Sequence, residues 1–160
     1  MATVSNSSPL ILYARVGQFD LLHKVFGEIL IPDAVYAEVV GAGADLPGSI
    51  ETSSLPWIRL RSIASNPQEL SQFWNLGAGE TEAVLLAQEL NLPLLMDDRD
   101  GRRTAEAMGI PVTGSAGVLV LAKESGHIAE VQPILEQLLS ANLRLAPSVA
   151  LRVLQLAGER

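Results

Sequence analysis

The sequence predicts an α/β fold, a parallel sheet of about five strands with helices on both faces. Two observations lead there. Short apolar runs alternate with longer stretches of helical period along most of the 160 residues. The chain is also 48% hydrophobic but only 4% aromatic, so its core must rest on Leu, Val, Ile and Ala. A chain of this length suits one domain and can bury a real core. That domain is expected over residues 1–160, with 128–160 as C-terminal helices packing on it.

Ala2–Ser5 is a short β-prone run. Pro9–Ala14 and Gln18–Val25 read as helices, separated near Gly17. Glu28–Ile31 (EILI) is a second strand, after which Pro32-Asp33 starts a helix with Asp33 as its N-cap. Gly41 to Pro56, with three glycines, two prolines and three serines, reads as a loop with at most a short turn of its own. Trp57–Leu60 is a third strand, and Ala78–Leu90, rich in Ala, Leu and Glu, a strong helix. Pro93–Met96 is an apolar strand ending in two aspartates. Gly101–Met108 is a helix closed by Gly109, and Pro111–Thr113 is a fifth strand. Ala116–Glu124 is a helix capped by Ser115 and closed by Gly126, and Val131–Leu139 and Pro147–Leu156 complete the chain as helices. Crossovers between parallel strands are right-handed. Open sheets of this kind bind ligands beyond the carboxyl ends of their strands.

Composition narrows the function. No apolar run reaches the roughly 20 residues a membrane-spanning helix needs. The N-terminal MATVSNSSPL has neither a basic start nor an apolar signal core, so a cytoplasmic protein without membrane contact is expected. With no cysteine there is no disulfide, thiolate metal site or cysteine nucleophile. A formal charge of −7, from 18 acidic and 11 basic side chains, disfavours a nucleic-acid partner on bulk charge. Acids gathered around a cation weaken that objection, because the ion offsets them locally.

The polar strand ends are Ser5-Asn6-Ser7-Ser8, Asp97-Asp98 and Thr113-Gly114-Ser115. Glu38, in DAVYAEVV, shares a helix face with Ala34 and Val35. An acid there must be paired, bound to a cation or pushed to the rim. Glu80, in GAGETEAVLLAQEL, falls in a first turn where the helix dipole favours a negative charge, and it borders Val84 and Ala87. Asp97-Asp98 follows a buried strand, and Asp100 is available as the cap of the next helix, which frees the pair for other work. Each acid alone has an ordinary reading, as a snorkelling side chain, a helix-start charge or a solvated turn. Together they can converge at one edge of the sheet. A carboxylate cluster with no His or Cys framework suits Mg²⁺ or Mn²⁺ better than zinc. His23 and His127 lie in unrelated segments and carry no catalytic role.

Four blocks carry a resemblance: the N-terminal strand leading into SNSSPLI, then GEILIPDAVYAEVV, GAGETEAVLLAQEL and LPLLMDDRDGRRTAEAMGIPVTGSAGVL. In that order and spacing the chain resembles the PIN domain, especially the branch of VapC-type toxins. The resemblance implies a three-layer α/β/α sandwich and a metal-dependent nuclease. It places the family's helical glutamate at Glu38, its third acid at Glu80 and its fourth at Asp98, with Asp97 adjacent. Thr113 or Ser115 supplies the hydroxyl after the fifth strand. The departure is the first acid: PIN domains typically end strand one on aspartate, and here Asn6 offers a carbonyl oxygen without charge. Ser8 can add a hydroxyl.

The first reading is therefore a Mg²⁺- or Mn²⁺-dependent endoribonuclease, the toxin of a toxin–antitoxin pair. Glu38, Glu80 and Asp98 hold the ion, with Asn6 holding it more weakly. Arg99, Arg102 and Arg103 are set to contact phosphates, or else form a solvated face balancing Asp97, Asp98 and Asp100. The second reading is a binding module that kept the fold and lost the chemistry. A phosphoacceptor receiver fits poorly, because Lys123 lies a whole helix beyond the fifth strand. The Leu- and Val-rich C-terminal helices pack on the core or form a homodimer or antitoxin surface.

Overall fold

The computed structural model describes residues 2–41, 45–66 and 75–159. Its strands are β1 (Ala2–Ser5), β2 (Glu28–Ile31), β3 (Ile58–Leu60), β4 (Leu94–Leu95) and β5 (Val112–Thr113). The helices before the central one are α1 (Ser7–Arg15), α2 (Phe19–Phe26), α3 (Asp33–Val39) and α4 (Ser49–Ser54). Then come α5 (Ala78–Leu90), α6 (Arg99–Ala107), α7 (Ser115–Glu124), α8 (Gln132–Ser140) and α9 (Pro147–Leu156). The sheet is parallel throughout, in the order β3-β2-β1-β4-β5. This is the predicted α/β sandwich with five strands.

The apolar strands follow from that architecture. A parallel sheet is covered on both faces, so its central strands must be apolar on both sides. Val4, Ile29, Ile31, Leu94 and Leu95 are fully buried. The core extends through Leu10, Tyr13, Leu22, Leu86 and Leu119 to Leu138 and Val153 of the C-terminal helices. Among the described residues no helix is long and apolar enough to cross a membrane. His23 is exposed, where it stacks on Trp57 with ring centroids 4.9 Å apart.

Strand order creates the functional edge. The chain builds outward from β1 through β2 to β3, then crosses back to lay β4 on the other side of β1. The carboxyl ends of β1 and β4 therefore flank a topological switch point, where crossovers leave in opposite directions and open a crevice. Asn6 follows β1 and Asp97-Asp98 follow β4, and the Asn6 N–H donates to Leu95 O at 3.0 Å.

Four local expectations need correction. The stretch 41–56 is not all loop: Ser49–Ser54 forms α4, while residues 42–44 lie outside the described residues. Asp33 is the first residue of α3 rather than its cap, and Glu82 of α5 reaches across to accept from Ala34 N at 3.0 Å. Ser115 is likewise inside α7, with Gly114 at the cap position. Asp98, not Asp100, caps α6, accepting from Gly101 N at 2.8 Å.

The chain end is clasped by Glu159. Its carboxylate accepts from Val131 N at 2.6 Å, Gln132 N at 3.0 Å and Lys123 Nζ at 2.9 Å, joining α7, the start of α8 and the terminus. The bond from Val131 N is the main cause holding its pKa below the ordinary 4.5; burial opposes it, and Lys123 and Gln132 add to the lowering. A depressed acid contributes stability above its unfolded pKa and loses it as pH falls through the folded value. Glu159→Gln is expected to lower stability at neutral pH by about 1 kcal/mol and to flatten the loss of melting temperature below about pH 4.5. Thermal melts of both chains across acidic pH check this; an unchanged acid limb removes Glu159 from the account.

Candidate metal centre and nucleic-acid cleft

A cleft of about 750 Å³ opens at the switch point, lined by Asn6, Ser8, Glu80, Asp97, Asp98 and Arg99, and by residues 142–146. Asn6 is 3% exposed, tucked where β1 turns into α1. Its amide nitrogen makes only a weak contact to Met96 Sδ at 3.7 Å, and its Oδ1 has no hydrogen-bond partner. An unpaired buried carbonyl oxygen costs about 1–3 kcal/mol, so this atom would gain from a donor or a cation at the cleft.

The glutamates come from two helices that pack together. Ser7 Oγ donates to Glu38 Oε1 at 2.6 Å, and the Glu38 carboxylate lies over the first turn of α5, where Gly79 leaves room for it. Glu38 is exposed at the margin and does not line the cleft itself. Glu80 is half-buried. Burial is the largest cause raising its pKa; the charges of Glu38 and Asp98 raise it further, against a lowering backbone hydrogen bond of its own. Glu80 therefore feels the negative charge of both Glu38 and Asp98.

The adjacent aspartates differ in what they touch. Asp97 accepts from Ser115 N at 2.7 Å and from Ser115 Oγ at 2.5 Å, so both of its oxygens are engaged. Burial raises its pKa, partly offset by the two Ser115 bonds and by Arg102. Tyr13 then donates to Ser115 O at 2.7 Å, extending the network into the core. Asp98 is exposed and spends Oδ2 on capping Gly101 N.

The remaining expected residues divide. Ser8 and Arg99 line the cleft. Arg102 does not: it packs against Gly114, reaches Met96 O at 3.5 Å, and lies with Thr113 along a separate apolar groove. Arg103 is exposed on α6 away from the cleft lining. Ser7 was expected at the strand edge but given no role, and Gly79, Asn142 and Arg144 were not anticipated from the sequence. Ser7 and Gly79 adjoin residues that were, whereas Arg144 lies in the connector between α8 and α9 with no local signal at all.

Among the described residues, no three acidic or histidine side chains stand close enough together to ligate one ion directly as they lie. The donor set around the cleft is nonetheless all oxygen, with one orphaned carbonyl beside the carboxylates of Glu80 and Asp98. That fits a hard divalent cation bound by few protein ligands and several waters, the habit of Mg²⁺.

The whole sequence decides the family: residues 2–159 match the family model described as DUF3368, PIN domain. The chain belongs to the PIN domain family. PIN domains are commonly nucleases and typically use divalent metals. A PilT N-terminus domain protein, SSO1118, from the hyperthermophilic archaeon Sulfolobus solfataricus P2 has a similar fold, with a TM-score of 0.53 at 18% identity. The match covers 80% of this chain and 96% of that one. No curated protein matches the sequence.

Proposed function

We propose that the chain is a cytoplasmic, Mg²⁺- or Mn²⁺-dependent endoribonuclease of PIN type, a VapC-like toxin held in check by an antitoxin protein. The observation that carries this is the unpartnered Asn6 Oδ1, nearly fully buried in the cleft that Glu80 and Asp98 also line. Glu38, Glu80 and Asp98 would hold the ion, with Asn6 as a neutral oxygen ligand, and Ser7 keeps Glu38 aimed. Asp97 is better read as a positioning group, since Ser115 occupies both its oxygens. When bound, the cation supplies Lewis-acid stabilisation of a phosphoryl oxygen and a water made acidic enough to attack in line. Arg99 offers a guanidinium for a phosphate at the mouth of the cleft.

The test is cleavage of a labelled single-stranded RNA with Mn²⁺, with EDTA, and with Asp98→Asn. Asparagine caps a helix as well as aspartate does, so this substitution removes charge and spares α6. Cleavage requiring Mn²⁺ and lost in Asp98→Asn is expected; cleavage indifferent to both overturns the reading.

One observation favours a second reading, a binding module with weakened chemistry: ligand charge governs cation affinity, and Asn6 brings none. Asn6→Asp separates the two. A weakened nuclease gains Mn²⁺-dependent cleavage about tenfold, and its melting temperature falls in EDTA, because a buried carboxylate joins Glu80 and Asp98 uncompensated. A binding module shows the same fall with no gain in cleavage.

Exposed Leu139, Val149 and Leu156 on α8 and α9 support a partner-facing surface. A second copy of the chain is the occupant proposed; a monomer in sedimentation overturns it.

A further inference from the structure

Two guanidinium groups line the cleft: Arg99 at the start of α6, and Arg144 in the connector between α8 and α9. Both are exposed. The three ion pairs among the described residues, Lys24–Asp20, Arg59–Glu28 and Lys123–Glu159, use neither of them. In a chain of formal charge −7, acids are plentiful, yet these two cations stand unpaired where a carboxylate-lined cleft would otherwise repel a phosphate.

The connector holds Arg144 in a defined place. Asn142 takes the left-handed conformation at φ 79° just past the end of α8. Its N–H donates to Leu139 O at 3.2 Å, and the N–H of Leu143 donates to Leu138 O at 3.0 Å. This pair of bonds is the Schellman ending of a helix, and the residue after the left-handed one carries its apolar contact. Leu143 is that residue, 7% exposed and part of the core. Arg15 Nη1 adds a bond to Ala141 O at 3.4 Å. With Leu143 plugged inward, Arg144 follows at the cleft, and Pro147 in the first turn restarts the chain as α9.

Leu12, Leu143, Leu145 and Ala146 add an apolar part to a wall that is otherwise polar. A concavity of about 750 Å³ is within the range of a small-ligand site. We propose that Arg144 is a substrate-positioning residue that binds a backbone phosphate of a single RNA strand lying in this cleft, with the 141–146 connector as the wall that strand rests on. The proposal rests on the ribonuclease reading above and adds to it a second phosphate contact remote from α6.

The experiment measures binding of a fluorescein-labelled single-stranded RNA by anisotropy, in the Asp98→Asn background so that the RNA is not consumed. KCl is varied from about 50 to 200 mM, because each phosphate contact to a single strand contributes about 0.7 to the log–log salt slope. Arg144→Ala is expected to weaken binding about tenfold at low salt and to reduce that slope by about 0.7. Arg144→Lys should keep the slope, which a purely structural role for Arg144 does not predict. Arg152→Ala, exposed on α9 outside the cleft lining, should change nothing. An unchanged slope in Arg144→Ala, an equal loss in Arg152→Ala, or equal competition by the same sequence as a duplex overturns the proposal. If the wild-type chain cleaves RNA but Arg144 leaves the slope unmoved, only this proposal falls. If the slope responds but the wild type never cleaves, only the nuclease reading falls. No RNA binding at all removes both.

Discussion

Glu80→Gln is expected to cost about 100-fold or more in Mn²⁺-dependent RNA cleavage while raising the melting temperature of the metal-free chain. The two effects have one origin. Glu80 sits half-buried in the first turn of α5, and burial, then the Glu38 and Asp98 charges, lift its pKa above the ordinary 4.5. An acid raised in the folded state holds its proton more tightly there than in the unfolded chain. Stability therefore falls as pH rises from the unfolded value through the folded one. Glutamine removes the charge, so the loss disappears. For a chain of this size each kcal/mol recovered is worth about 2–4 °C. Removing a group that merely orients a metal ligand already costs about 10–100-fold, so removing a ligand should cost at least the upper end. A ligand that binds only the folded state stabilises it by about 2.7 kcal/mol at a hundred times its Kd, and that Mn²⁺-induced rise should shrink in the variant. Melts and cleavage assays with Mn²⁺ and with EDTA check all of this. A variant that melts lower and keeps its Mn²⁺ response would make Glu80 a helix-start charge and nothing more.

The sequence showed the sheet and the acids because both leave local signals. Runs such as EILI and PLLM mark strands, and the helical period marks α5 and α7 within a residue or so of their observed bounds. Strand order left no such signal: that β1 stands between β2 and β4 depends on which faces the helices cover, a property of the whole chain. Ser49–Ser54 was lost in a Gly- and Pro-rich stretch because six residues are too few to show a period. The two aspartates were indistinguishable in sequence, and only packing sends Asp97 inward to Ser115 while Asp98 caps α6. Arg102 and Arg99 likewise looked equivalent, yet Arg102 meets Gly114 while Arg99 lines the cleft. Asn6 was legible as a departure in charge, but its unpaired oxygen is a fact of burial.

Gly79→Ala is expected to separate folding from activity. Gly79 is buried in the first turn of α5, and a Cβ there would overlap Glu38 Oε1 and come within 2.9 Å of Glu38 Cδ. The obstructing atoms are the tip of a flexible side chain rather than backbone, so the methyl group is accommodated by swinging Glu38 away. Alanine is also the better helix former by about 1 kcal/mol, which offsets the displaced contacts, and the melting temperature should stay within about 2 °C of the parent. Glu38 pays in position. It loses the 2.6 Å bond from Ser7 and its place beside Glu80, and a displacement on the order of 1 Å at a reacting centre costs about 100-fold. Cleavage should fall by about that factor, together with the Mn²⁺-induced rise in melting temperature. Shortening the acid with Glu38→Asp in the same chain should recover part of the loss, because aspartate withdraws from the added methyl; the two substitutions would then be non-additive, as contacting residues are. Full cleavage in Gly79→Ala would show that the carboxylate over α5 is not part of the working site, and a chain that fails to fold would show that Gly79 serves packing rather than the placement of Glu38.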